Sequence, residues 1–161
     1  MIKSLDYNLS NRTKEGHHMF TREYVRMCRK SKDLQVNWRP ESGDWWYVGA
    51  RDLICPIIYQ EVGGKLQWSD IEHQYNLPRD IDLYGIVWLP RIDQLQGMIM
   101  ENTTAKYDEL IEGFLYFMKT LSDPAIQNPA QLWLGYYMYA TQQKNWKEGR
   151  WVKETESVIE Q

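Results

Sequence analysis

Arg91, Asp93 and Gln94 are the residues whose types and spacing come nearest to a chemical site in this chain. They follow Trp88-Leu89-Pro90, where an apolar run from Tyr84 to Leu89 gives way to apolar residues at Ile92, Leu95 and Ile99. That switch from a strand pattern to a one-face helical pattern predicts a β-to-α junction. Pro90 suits the first helical turn, where its missing N–H would have no partner anyway. A helix N-terminus offers unpaired N–H groups, Arg91 adds a forked donor for an anionic group, and Trp88 supplies an aromatic wall. Trp88, Arg91, Asp93 and Gln94 therefore form the candidate ligand site. Plainer roles weigh more: Asp93 in a first turn complements the helix dipole, and Arg91 can pair with a carboxylate at the core edge.

Three other sets invite a chemical reading. Arg22, Arg26, Arg29 and Lys30 cluster on one face of an N-terminal helix, as a nucleic-acid contact would require. A solvated face with Glu23–Arg26 and Arg29–Asp33 pairs is preferred, because the net charge of −3 gives polyanions no bulk attraction. Asp70, Glu72, His73, Asp80 and Asp82 gather cation ligands in one segment, but their spacing fits neither a calcium loop nor a zinc helix. Cys55 with His73 would be a nucleophile and base, yet a thiol in an apolar strand is inert by default. His17 and His18 have no third ligand nearby in sequence. No catalytic residue, metal or cofactor is expected.

Tryptophan and tyrosine are unusually abundant, 8 and 11 against 3 Phe. Trp45 and Trp46 are adjacent in a strand pattern, so they point to opposite faces and one should look outward. Trp146 and Trp151 bracket Gly149 and should face each other across a hairpin. These four residues form the candidate interaction patch, against the alternative of a Trp-rich core with wet rims.

The elements that must position these residues read as follows. Residues 1–18 are a polar arm, and Met19 is a possible start. A helix capped by Thr21 spans about 21–36. Strands follow at Trp45–Val48 and Leu53–Tyr59, the second placed at an edge or bulge by Pro56. Gly63-Gly64 makes a hairpin turn into Lys65–Trp68. After a polar loop at 69–83 comes the strand ending at Leu89, then helices near 91–101 and 105–120. A third helix is signalled by Asn128-Pro129-Ala130-Gln131: cap, N1 proline and a glutamine at N3. Its run Leu132–Tyr139 is apolar nearly all round, which places it centrally. Residues 153–161 are a charged tail.

The motifs Trp88-Leu-Pro-Arg-Ile-Asp-Gln-Leu-Gln96, Gln131-Leu-Trp-Leu134 and Trp146…Gly149-Arg150-Trp151 resemble a group of uncharacterised phage and prophage proteins. Thr21-Arg22-Glu23 and Trp38-Arg39-Pro40…Gly43-Asp44 share in the resemblance, which covers about residues 20–152. It implies a mobile-element origin and a bacterial cytoplasm, and it brings no catalytic residues. Two distant cysteines, Cys28 and Cys55, fit a reducing compartment. No apolar run reaches the roughly 18 residues of a membrane span.

The expectation is one α+β domain over residues 19–152, with a small, mainly antiparallel sheet of three to four strands packed against about four helices. The expected role is non-enzymatic: an accessory protein acting through a protein partner or as a homo-oligomer. The first alternative is a small-ligand or nucleotide binder, or an enzyme, at Arg91–Gln94. The second, less favoured, is nucleic-acid binding through the basic helix.

Overall fold

Thr21 starts the first helix as its type predicts. It is extended (φ −78°, ψ 164°) and its Oγ1 accepts the Tyr24 N–H at 3.1 Å. From there the computed structural model describes residues 20–38, 41, 43–49, 52–56, 59–62, 65–68, 85–121, 126 and 128–154. Among them the chain is α+β, in the order α1 (Arg22–Lys30), α2 (Lys32–Val36), β1 (Trp45–Val48), β2 (Leu53–Pro56), β3 (Tyr59–Val62), β4 (Lys65–Trp68), β5 (Ile86–Leu89), α3 (Ile92–Thr103), α4 (Tyr107–Thr120), α5 (Pro129–Gln142), β6 (Lys144–Lys147) and β7 (Arg150–Lys153).

The strands do not share one sheet. β1 lies between β2 and β5 in a three-stranded antiparallel sheet, and β3–β4 and β6–β7 are separate antiparallel ribbons. Pro56 closes β2 at the sheet edge, where no ladder donor is required of it. The predicted strand Leu53–Tyr59 is two strands, β2 and the start of β3. β3 and β4 pair as a hairpin would, Val62 opposite Lys65, though Gly63 and Gly64 lie outside the described residues. So do the arm 1–18, the segment 69–83 and residues 155–161.

Two further expectations are corrected. The helix read as continuous over 21–36 breaks at Ser31, whose backbone is non-helical (φ −88°, ψ 72°). Its hydroxyl donates to the Met27 carbonyl at 2.9 Å, the local bond by which serine competes with the helical ladder. Pro90 is not in the first turn of α3, because Arg91 is the extended cap (φ −75°, ψ 163°). The proline instead holds Leu89 extended and ends β5. Its carbonyl, unneeded by the helix, accepts the Tyr24 hydroxyl at 2.6 Å.

The capping box of α5 forms as read: Asn128 Oδ1 accepts the Gln131 N–H at 2.9 Å and Gln131 Oε1 accepts the Asn128 N–H at 3.1 Å. All eight residues from Leu132 to Tyr139 are buried or half-buried, Leu132 and Tyr139 at the margins, so α5 is central as expected. Gly135 lets the Phe117 ring of α4 lie close, since a Cβ there would sit 3.0 Å from its Cζ. At the last hairpin, Glu148 (φ 50°) and Gly149 (φ 76°) both take the left-handed conformation that a two-residue turn of matching twist requires. Trp146 and Trp151 stand opposite each other, ring centroids 4.8 Å apart.

The core beneath α1 carries a pH dependence. Tyr24 and Cys28 are fully buried, and burial pushes both the phenol and the thiol above their ordinary values. In the unfolded chain they ionise near about 10 and about 8.5. The native state keeps its protons while the unfolded state loses them, so this stability is fully present below about pH 8.5 and declines as pH rises through the unfolded values towards the raised native ones. The urea midpoint is expected to be level from neutrality to about pH 8 and to fall steadily above it. A midpoint unchanged up to about pH 10.5 would contradict this burial.

Candidate functional site

Two residues of the predicted ligand site, Arg91 and Gln94, meet at a further one that the sequence did not single out. Asp44 is 1% exposed and follows Gly43, whose φ of 91° makes the turn into β1. One Asp44 carboxylate oxygen, Oδ2, accepts the Trp38 indole N–H and the Glu41 backbone N–H, each at 2.9 Å. The other accepts from Gln94 Nε2 and lies 3.6 Å from Arg91 Nη1. Gln94 is committed at both ends, because its Oε1 takes the Arg91 backbone N–H at 2.9 Å. Arg91 spreads its guanidinium over Gly43 O at 2.8 Å and both Asp93 carboxylate oxygens at 3.1 Å.

These bonds give the junction a structural role. Arg91 supplies the forked pairing foreseen for it, but its partner is Asp93 two residues on. Its bonds hold the Asp93 carboxyl below its ordinary range, and Asp93 in turn raises the guanidinium. The network ties the 38–44 turn to the start of α3 and leaves the arginine fork occupied by the protein itself. A ligand bound by Arg91 would have to displace Asp93. Asp44, Glu41 and Trp38 were missed because only tertiary proximity brings them here.

Beside this network lies a cleft of about 330 Å³. Its apolar wall is Leu34, Trp38, Trp88, Met98 and Tyr137; Asn37, Glu41, Gln94 and Glu101 supply its polar side. Trp88 lies nearly parallel to Trp38, ring centroids 5.7 Å apart and 8° between planes, and Trp38 meets Trp46 edge-on. Gln94, Gly97, Met98 and Glu101 recur at the spacing of one helical stripe, which is how α3 forms a side of the cleft.

The other predicted sites dissolve into structure. Trp46 and Trp146 are 1% and 2% exposed, so they are core rather than surface. Trp146 Nε1 donates to Glu23 at 2.8 Å, and Trp151 Nε1 to the Met27 carbonyl at 3.1 Å. Trp45 is half-buried against Phe20. Alternation along β1 holds: Trp46 and Val48 lie on the buried face, Trp45 and Tyr47 on the half-buried one.

Each basic residue of α1 is engaged within the protein. Arg22 pairs with Asp52 at 3.5 Å and Arg26 with Glu23 at 3.6 Å. Arg29 lies over the Tyr47 ring, and Lys30 donates to the Gly149 carbonyl at 2.9 Å. Of the imagined nucleophile and base, Cys55 lies in β2 opposite Trp46, while His73 and the acidic residues 70–82 fall outside the described residues. No group of three metal-ligating side chains is found among the described residues, and no described helix is long and apolar enough to cross a membrane.

Among the described residues, an apolar surface remains open on α4. Tyr107, Leu115, Tyr116 and Met118 are exposed, Leu115 by 47%. Ile111 and Phe114, half-buried, continue the row, and Phe114 is anchored by a parallel stack on Trp133 with centroids 4.0 Å apart. Compared with known proteins, the chain matches no family model, no curated protein and no solved structure.

Proposed function

We propose that the protein acts by protein–protein contact, as a non-enzymatic accessory protein of the phage and prophage group that its sequence resembles, and that its contact surface is the apolar row of α4. The observation that supports this reading is the exposure of Leu115, Tyr107 and Met118 in line with Ile111, beside the side of the helix that packs on α5. The occupant that fits is a second copy of the chain. α4 is acidic in its first turn, Asp108 and Glu109, and basic in its last, Lys119. A two-fold axis through its middle runs the two helices antiparallel, so each acidic end meets the other copy's basic end while the apolar rows pack.

Light scattering at two concentrations and two salt levels tests the reading. The expected mass is that of a dimer, and Leu115→Glu should weaken association at least about tenfold while far-ultraviolet circular dichroism stays unchanged. A monomeric mass at the highest concentration, or a dimer indifferent to Leu115→Glu, would remove α4 as the interface.

A further inference from the structure

We infer that the cleft between α2 and α3 binds an organic cation, an alkylammonium or guanidinium group. This inference stands apart from the α4 surface and survives its failure.

Charge is the first ground. Around the cleft, Arg91 sets one positive charge against Asp44, Asp93 and Glu41, and all three carboxylates act on it. Glu101 adds a further carboxylate on the α3 side. No lysine, arginine or histidine is among the lining residues. A concave site of one sign between apolar walls focuses its field and concentrates counter-ions.

The second ground is the wall itself. Trp38, Trp88 and Tyr137 line the cleft, and an aromatic ring attracts a cation, indole most of all. Space is the third: a Cβ at Gly97 would meet nothing within 4 Å, so the glycine leaves the α3 side of the cleft open.

The simplest molecules that carry such a cation are a basic amino-acid amide and a basic residue within a peptide.

Calorimetric titration with L-argininamide, an end-blocked Gly-Arg-Gly peptide and N-acetyl-leucinamide as the neutral control tests this. Both cations should bind and the control should not. Glu101→Gln, at an exposed position, should weaken binding about fivefold. Gly97→Leu fills the cleft and should abolish binding without lowering the melting temperature, since leucine is the better helix former. A peptide that binds more tightly than argininamide marks a peptide-borne residue as the ligand; equal or weaker binding marks the free amine. Cations that bind no better than the control, or full affinity in Gly97→Leu, would overturn the inference.

Discussion

Asp44→Ala is expected to destabilise the fold by about 3–5 kcal/mol, the usual cost of removing one partner from a buried charged network. For a chain of this size that lowers the melting midpoint by roughly 6–20 °C. The loss is large because three donors point at one carboxylate: the Trp38 indole, the Glu41 amide and the Gln94 side chain. Alanine leaves all three without their acceptor and Arg91 without its buried counter-charge. Arg91→Ala should cost less, about 1 kcal/mol, because its side chain is one-third exposed and its remaining partner, Asp93, can turn to water. Urea unfolding of the two variants measures the difference. If Asp44→Ala costs no more than Arg91→Ala, the network is not what fixes the 38–44 turn onto α3.

Trp146→Ala should be comparably damaging, about 3–5 kcal/mol, the range for a buried aromatic replaced by alanine. The indole is enclosed by Trp151 at 4.8 Å, and the Arg26 guanidinium lies 6.0 Å over it. Trp146→Phe keeps much of the volume and loses the bond to Glu23, so its cost should be about 1–2 kcal/mol. The pair also discriminates between the two surfaces considered for association. Were Trp146 part of a contact patch, its loss would lower the mass in solution and leave the urea midpoint unchanged. The buried position predicts the reverse.

Local signals in the chain were readable where one residue type has one physical use. Thr21, Asn128-Pro129…Gln131 and Gly149 each perform the task their chemistry names, because a cap or a turn is decided within a few residues. Pro56 likewise fell at a sheet edge. Longer-range questions were not readable. Whether Trp46 faces solvent depends on which elements cover β1, and Asp44 gains its meaning from Arg91 and Gln94, nearly fifty positions away. The junction at Arg91 lies where the pattern places it, and the arginine's fork is taken up by Asp93, two residues on. Ser31 shows the opposite error, a local bond outweighing an apolar period that ran on past it. The exposed row of α4 lay within a stripe that reads from sequence as ordinary core, since an amphipathic pattern does not say how much of its face a neighbour will cover.

Three hydrogen bonds join α1 to the final hairpin, and they give the fold a clock. Lys30 reaches Gly149, Glu23 reaches Trp146 and Met27 reaches Trp151 across 119, 123 and 124 positions. Pairings so distant must close long loops before any contact rewards them, which slows folding. During synthesis the order is harsher still. At about 5–20 residues per second, α1 leaves the ribosome roughly 6–24 seconds before the strands that cover it. Through that interval the stripe of Tyr24, Met27 and Cys28, destined for the deepest part of the core, stands open to whatever chaperone or neighbouring nascent chain arrives first.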